Sequence, residues 1–145
     1  MLNPITLQYS KNGGTWTNYT VGDTISLNQN ETVAFSGANN YFSKDANDYY
    51  FFTMNGDGFE VSGNVMSLMN FKMDCTSYCF NHLFKKDNLL NAPLLPATGL
   101  ANGCYQEMFQ LCQSLTGVTE LPATTLAQAC YLDMFHGCSS LTLAP

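Results

Sequence analysis

The chain has no arginine: all five basic residues are lysine, against 11 aspartates and glutamates, for a formal net charge of -6. A nucleic-acid-binding surface needs a basic footprint, usually with guanidinium groups for bidentate contacts, so no nucleic-acid partner is expected. Charge of either sign is scarce, at 11% of residues. No run of 18 apolar residues exists, so no segment is expected to insert directly into a membrane. The opening MLNPITLQYSKNGG lacks a basic region followed by an apolar stretch and a small-residue cleavage site. No signal peptide is therefore read in the given chain. Cysteine is absent before Cys75, although six lie between there and Cys138. A disulfide framework would staple the region that most needs it, so free thiols are the leading expectation.

What is present argues for a folded chain. The apolar fraction of 46% is too high for wholesale disorder, and 145 residues suffice for one domain or for a small domain joined to a short repeat array. From Ile5 to about Val65, apolar and polar residues alternate in short bursts. ITLQYS places Ile5, Leu7 and Tyr9 on one face, TISLN does so with Ile25 and Leu27, and TVAF with Val33 and Phe35. Asn12 and Gly13 in KNGG suit the positive φ values of a tight hairpin. YYFFTM and FEVSG read as further strands around a glycine-rich turn. Five to seven short strands predict a small antiparallel β-sandwich or half-barrel over residues 1–68.

Residues 36–48 form the one long polar connection. Asp45, Asp48 and Asp57 do not follow a calcium-loop spacing and are read as solvated. Six aromatics crowd the stretch from Tyr41 to Phe52, too many to point into so small a core. Tyr41, Tyr49, Tyr50 and Phe52 are the candidate ligand-binding residues, as a stacking platform for sugars or peptides. The alternative is that the surplus rings pack against the region that follows.

Residues 69–145 repeat. Copies start at Cys79, Cys104 and Cys130, separated by 25 and then 26 residues. Equivalent positions form a ladder: Cys79, Cys104 and Cys130; Phe80, Tyr105 and Tyr131; Phe84, Phe109 and Phe135; Leu90, Leu115 and Leu141. Cys112 and Cys138 match each other, with Asp87 in the first copy. In TTLAQACYLDMFHG the apolar residues Leu126, Cys130, Met134 and Phe135 predict one stripe of a helix, capped by Thr124 or Thr125 and ended at Gly137. SSLTLAP then predicts a short extended rung. Stacked units would set the rungs in a parallel sheet with the helices opposite.

On this reading the cysteines are small buried spacers. Ladder positions point along a line, whereas zinc needs four converging ligands, so no metal and no cofactor is expected. His82 and His136 fall at different phases of the repeat without a fixed nucleophile beside them. Glu107 and Asp133 are the only paired-carboxylate candidates and are expected on a helix surface, so no enzyme activity is expected.

LPATTLAQACYLDMFHGCSSLT closely resembles the BspA-like leucine-rich repeats of surface proteins of gut Bacteroidetes and of phages that infect them. LQYSKNGGTWTNYTVGDTISL, ETVAFSGANNYFS and FEVSGNVMSLMN look like the small β domain that precedes such repeats, so the resemblance covers nearly the whole chain. It implies a mixed α+β architecture, a β domain followed by a leucine-rich-repeat solenoid of helices and parallel rungs. It also implies display on a bacterial cell surface or in a phage virion. The implied partner is a host or neighbouring surface protein or glycan, possibly a second copy or a capsid protein. The final copy stops on its rung at Ala144 and Pro145, where the others continue, so a truncated array or an end covered by a partner is expected.

Overall fold

The computed structural model describes residues 4–143 and 145. Ala144, within the interrupted final copy, lies outside the described residues. Strands β1 (Leu7–Lys11), β2 (Thr17–Tyr19) and β3 (Val33–Ser36) make one antiparallel sheet in the order β2-β1-β3. Asn12 (φ 53) and Gly13 (φ 71) turn the β1–β2 hairpin, which pairs Leu7 with Tyr19 and Tyr9 with Thr17. The side-chain carbonyl of Asn12 accepts the Thr32 N–H at 2.8 Å, which ties the turn to the approach to β3.

Among the described residues a sandwich or half-barrel of five to seven strands is not present. TISLN, YYFFTM and FEVSG form no strand, and the alternation of apolar residues in them serves a different packing. Phe52 donates its N–H to Leu83 O at 2.9 Å, and Phe59 donates to Asn88 O at 2.8 Å. Backbone groups that a sheet would have paired locally are thus satisfied by a segment about 30 residues onward. Asparagines complete the joins. The buried Asn39 side chain accepts from Thr6 N and donates to Thr6 O and Leu68 O, all at 2.9 Å, and Asn91 clasps both backbone groups of Val61. One 3₁₀ turn, Val65–Leu68, is capped by the Asn64 side chain.

The predicted α-helices are also absent among the described residues. In their place stand three coils, 78–87, 103–112 and 129–138, each a chain of tight turns. An α-helix bonds each N–H to the carbonyl four residues back. In coil 1 Cys79, Asn81, Leu83, Lys85 and Asp87 instead donate three residues back, at 3.0–3.2 Å. The alternate residues Tyr78, Phe80, His82, Phe84 and Lys86 donate to the carbonyls of Asn102, Cys104, Gln106, Met108 and Gln110 in coil 2, at 2.8–3.0 Å. Coil 2 treats coil 3 in the same way, from Gly103, Tyr105, Glu107, Phe109 and Leu111.

The geometry repeats every four residues. Positive φ recurs at Tyr78, His82 and Lys86, at Gly103, Glu107 and Leu111, and at Ala129, Asp133 and Gly137. A positive φ at every fourth position is incompatible with a right-handed helix. It suits the side-chain pattern, because Cys104, Met108 and Cys112 are buried at steps of four, as are Cys130, Met134 and Cys138. The predicted helical stripe would bury Leu126, which is instead 65% exposed. Between coils, continuous parallel rungs are replaced by single bridges such as Asn64 with Leu94 and Asn91 with Gly117.

Two ring columns run through the stack. Phe80, Tyr105 and Tyr131 lie 5.8 and 5.9 Å apart, and Phe84, Phe109 and Phe135 lie 5.6 and 5.7 Å apart, all nearly parallel. The second column continues through Phe52 (5.5 Å from Phe84) to Phe35 and Tyr19, so a ring from β3 and one from β2 extend it into the sheet. Buried apolar residues form one cluster from Leu7 to Cys138.

Candidate functional site

The coil pattern sorts each predicted ladder residue. Cys79, Cys104 and Cys130 are buried, and the Cys79 thiol points to Cys104 O at 3.8 Å. Cys112 and Cys138 point the other way, donating to Phe84 O at 2.9 Å and to Phe109 O at 3.0 Å. All six cysteines are free. Asp87 occupies the Cys112 position in coil 1, where the preceding segment offers an N–H instead of a carbonyl. Its Oδ1 accepts from Met54 N at 2.9 Å, and its Oδ2 is buried with no partner. Burial pushes its carboxyl up to about 6 against the opposing Met54 hydrogen bond. The leucine ladder is shifted by one residue. Thr116 donates to Leu90 O and Ser114 Oγ to Asn88 Oδ1, which aligns the fully buried Leu89 with Leu115, while Leu90 is 38% exposed and Leu141 is half-buried.

The four candidate binding aromatics do not share one platform. Phe52 sits between Phe35 and Phe84, and Tyr50 packs on Phe42 with ring centroids 5.7 Å apart. Both are half-buried and serve the packing between sheet and coils. Tyr41 is exposed, away from the rings that line the cleft. Tyr49 alone faces a cleft, of about 300 Å³, together with Phe51, His82, Lys85 and Lys86. A larger concavity of about 510 Å³ beside the sheet, between Ile5, Tyr19 and Phe71, has no charged lining residue.

The cleft is built by the four-residue turn unit. His82 and Glu107 occupy the same positive-φ column on successive coils, which brings His82 Nε2 within 2.9 Å of Glu107 Oε2. Lys85 Nζ meets the same oxygen at 2.9 Å. His82 Nδ1 lies 2.5 Å from Asn81 Oδ1, in the amide orientation that lets Asn81 Nδ2 donate to Asp45 O. Tyr49 covers the imidazole face at 4.2 Å and 8°. Phe51 stands 5.9 Å from Tyr49 and is 58% exposed. Lys86 is exposed, and its ammonium makes no ion pair with a described residue.

Burial lowers the His82 pKa, helped by the Lys85 charge and opposed by Glu107. Both ring nitrogens face oxygens, which favours the imidazolium, so burial and hydrogen bonding pull in opposite directions. Desolvation pushes the Glu107 carboxyl up, but the Lys85 hydrogen bond and the His82 charge together hold it below its ordinary value. Asp133 follows Glu107 in the column and is exposed at the end of the stack rather than on a helix. His136 is exposed.

The Asp45 side chain accepts from Asn47 N and Asp48 N at 2.8 and 2.9 Å, closing the polar loop on itself. Among the described residues no three histidines, cysteines or carboxylates group as metal ligands. Phe51, His82, Lys85 and Lys86 were not foreseen as site residues. The signal for the ion pair lay in the repeat, since His82 and Glu107 each stand three residues after the copy's first cysteine. Comparison of the chain with protein-family models, with curated protein sequences and with solved structures finds no match.

Proposed function

We propose that the protein is a non-enzymatic binding module for a surface glycan, with a sugar ring seated on Tyr49 and Phe51. The observation that carries this reading is the Tyr49 ring fixed face-on to His82, with Phe51 exposed beside it and Lys86 at the rim. Fixing an aromatic ring in advance lowers the ordering cost of binding, and the exposed face of such a ring suits the apolar face of a sugar. Lys86 supplies a donor for a hydroxyl or carboxylate. Lys85 is committed to Glu107, and Glu107 is held by two cationic or donor groups, an arrangement that supports positioning rather than proton transfer. The resemblance to BspA-like surface proteins supports the same role in adhesion at a bacterial surface.

The test is a fluorescence titration and glycan array with neutral and acidic oligosaccharides. Tyr49→Ala is expected to weaken binding at least tenfold and Lys86→Ala less. Silence of the folded protein toward every glycan at millimolar concentration overturns the proposal.

A further inference from the structure

The chain carries 11 aspartates and glutamates against five lysines, yet no carboxylate lines the Tyr49 cleft, while two of the lysines, Lys85 and Lys86, do. Three carboxylates placed to neutralise it are engaged elsewhere. Glu107 Oε2 lies 2.9 Å from both His82 Nε2 and Lys85 Nζ, and its Oε1 accepts from Gln106 Nε2 at 3.4 Å. Asp87, next to Lys86 in the chain, is buried with its Oδ1 on Met54 N. Asp45 accepts from the N–H groups of Asn47 and Asp48.

Lys85 and Glu107 cancel, which leaves Lys86 as the net charge of the cleft. Its backbone is fixed at φ 66 with its N–H on Gln110 O at 2.8 Å, while its side chain is exposed and makes no ion pair with a described residue. The chain as a whole repels anions, but salt screens that field within about 8 Å at physiological ionic strength. A contact pair with Lys86 is screened much less. We infer, resting on the glycan reading above, that the ligand is an acidic sugar, its ring on Tyr49 and Phe51 and its carboxylate or sulfate on the Lys86 ammonium. An ammonium is a point charge that takes either anion, without the planar fork by which arginine favours carboxylate and phosphate. A cleft of about 300 Å³ is at the small end for ligand pockets and suits a short saccharide.

The experiment is calorimetric titration with tetrasaccharides that differ only in charge: tetragalacturonate, its carboxyl-reduced neutral form and the 6-O-sulfated neutral form, with the same three in the gluco series. At least one charged form is expected to bind fivefold or more tightly than its neutral counterpart, and the tighter of the two identifies the anion. That advantage should shrink between 50 and 500 mM salt. Lys86→Gln should erase it while affinity for the neutral form stays unchanged, which shows that the fold is intact. Lys86→Arg should restore it, and Tyr49→Ala should weaken charged and neutral forms alike. Equal binding of charged and neutral forms overturns the inference, as does a charge preference that survives Lys86→Gln or silence toward all six sugars. Only silence across the wider array overturns the glycan reading beneath it.

Discussion

The repeat places cysteine where Asp87 stands, so a consensus argument says that Asp87→Cys stabilises the protein. The structure says the opposite, and says that Asp87→Asn is the stabilising change. Cys112 and Cys138 donate to a carbonyl of the preceding coil, whereas Asp87 must accept from Met54 N. A thiol at that site leaves a buried N–H without a good acceptor, a loss of about 1–3 kcal/mol. An amide keeps the acceptor and removes the charge. The folded-state carboxyl, raised to about 6 from 3.8, favours the protonated form. Stability from this group is complete below pH 3.8 and is lost as pH rises through 6. A difference of that size costs about 3 kcal/mol at neutral pH, of which roughly 2 to 3 kcal/mol falls between pH 4 and 7. Asparagine offsets part of the gain by burying an unpaired N–H where Oδ2 stood, at about 1–2 kcal/mol. Urea denaturation of wild type, Asp87→Asn and Asp87→Cys at pH 4, 5, 6 and 7 measures all of this. Asp87→Asn should be the more stable at pH 7 by about 1–2 kcal/mol and lose that advantage by pH 4, while Asp87→Cys should be the least stable at pH 4. A constant difference between wild type and asparagine variant across the range would refute a buried, raised carboxyl.

Phe109 is sandwiched between Phe84 and Phe135, whereas Phe135 has one ring neighbour. Phe109→Ala should cost about 3–5 kcal/mol and Phe135→Ala less than half of that, measured by urea denaturation, and equal losses would contradict the stacking order. Burial lowers the His82 pKa, so the stability this group gives is present above pH 6.5 and lost as pH falls through its lower folded value. The disadvantage of His82→Gln should therefore shrink between pH 7.5 and 5.5, and a widening gap would mean that the two oxygens facing the ring outweigh burial. Burial pushes the Cys112 thiol up to about 12, which makes its thiolate at pH 8 scarcer by roughly a thousandfold than that of an ordinary cysteine. Thiol titration should find Cys112 unreactive in the native protein and all six cysteines reactive in denaturant, and rapid native labelling of Cys112 would show a site more open than its burial implies.

The spacing of the copies was legible in the sequence because side chains that stack must recur, and the Phe84, Phe109 and Phe135 rings stack in that order. The helix was misread because local signals fit two backbones. Apolar residues at steps of four satisfy one stripe of an α-helix, and Gly137, read as a helix end, has the positive φ that either structure uses there (φ 76). The decision lies in hydrogen bonds between residues 24 and 25 apart, which no local window contains. The same cause displaced the leucine column from Leu90 to Leu89, since an alignment on cysteines misses a one-residue change of register between them. The sandwich failed for a related reason: YYFFTM alternates like a strand, but its rings divide among the Phe84 column, Phe42 and the cleft. Of the candidate site, Tyr49 was legible from aromatic excess; His82 and Lys85 were not, because their partner Glu107 lies one coil away, nor was Lys86, whose place at the rim is set by the coil.

The cleft follows from the backbone that builds the coils. Seven of the nine positive-φ positions in the coils are not glycine, and each costs roughly 1–2 kcal/mol locally. No single coil recovers that alone; the bonds and rings that offset it are formed only with a neighbour. A coil therefore has defined geometry where another coil covers it, as His82 is covered by Glu107. The cleft sits on coil 1, bonded to the preceding segment on one side and to coil 2 on the other, so its rings are fixed before ligand arrives. Coil 3 has the opposite situation, bonded on one side with five donors free among the described residues on the other. Preorganisation at the cleft is thus one consequence of a rule, that each coil completes the one before it.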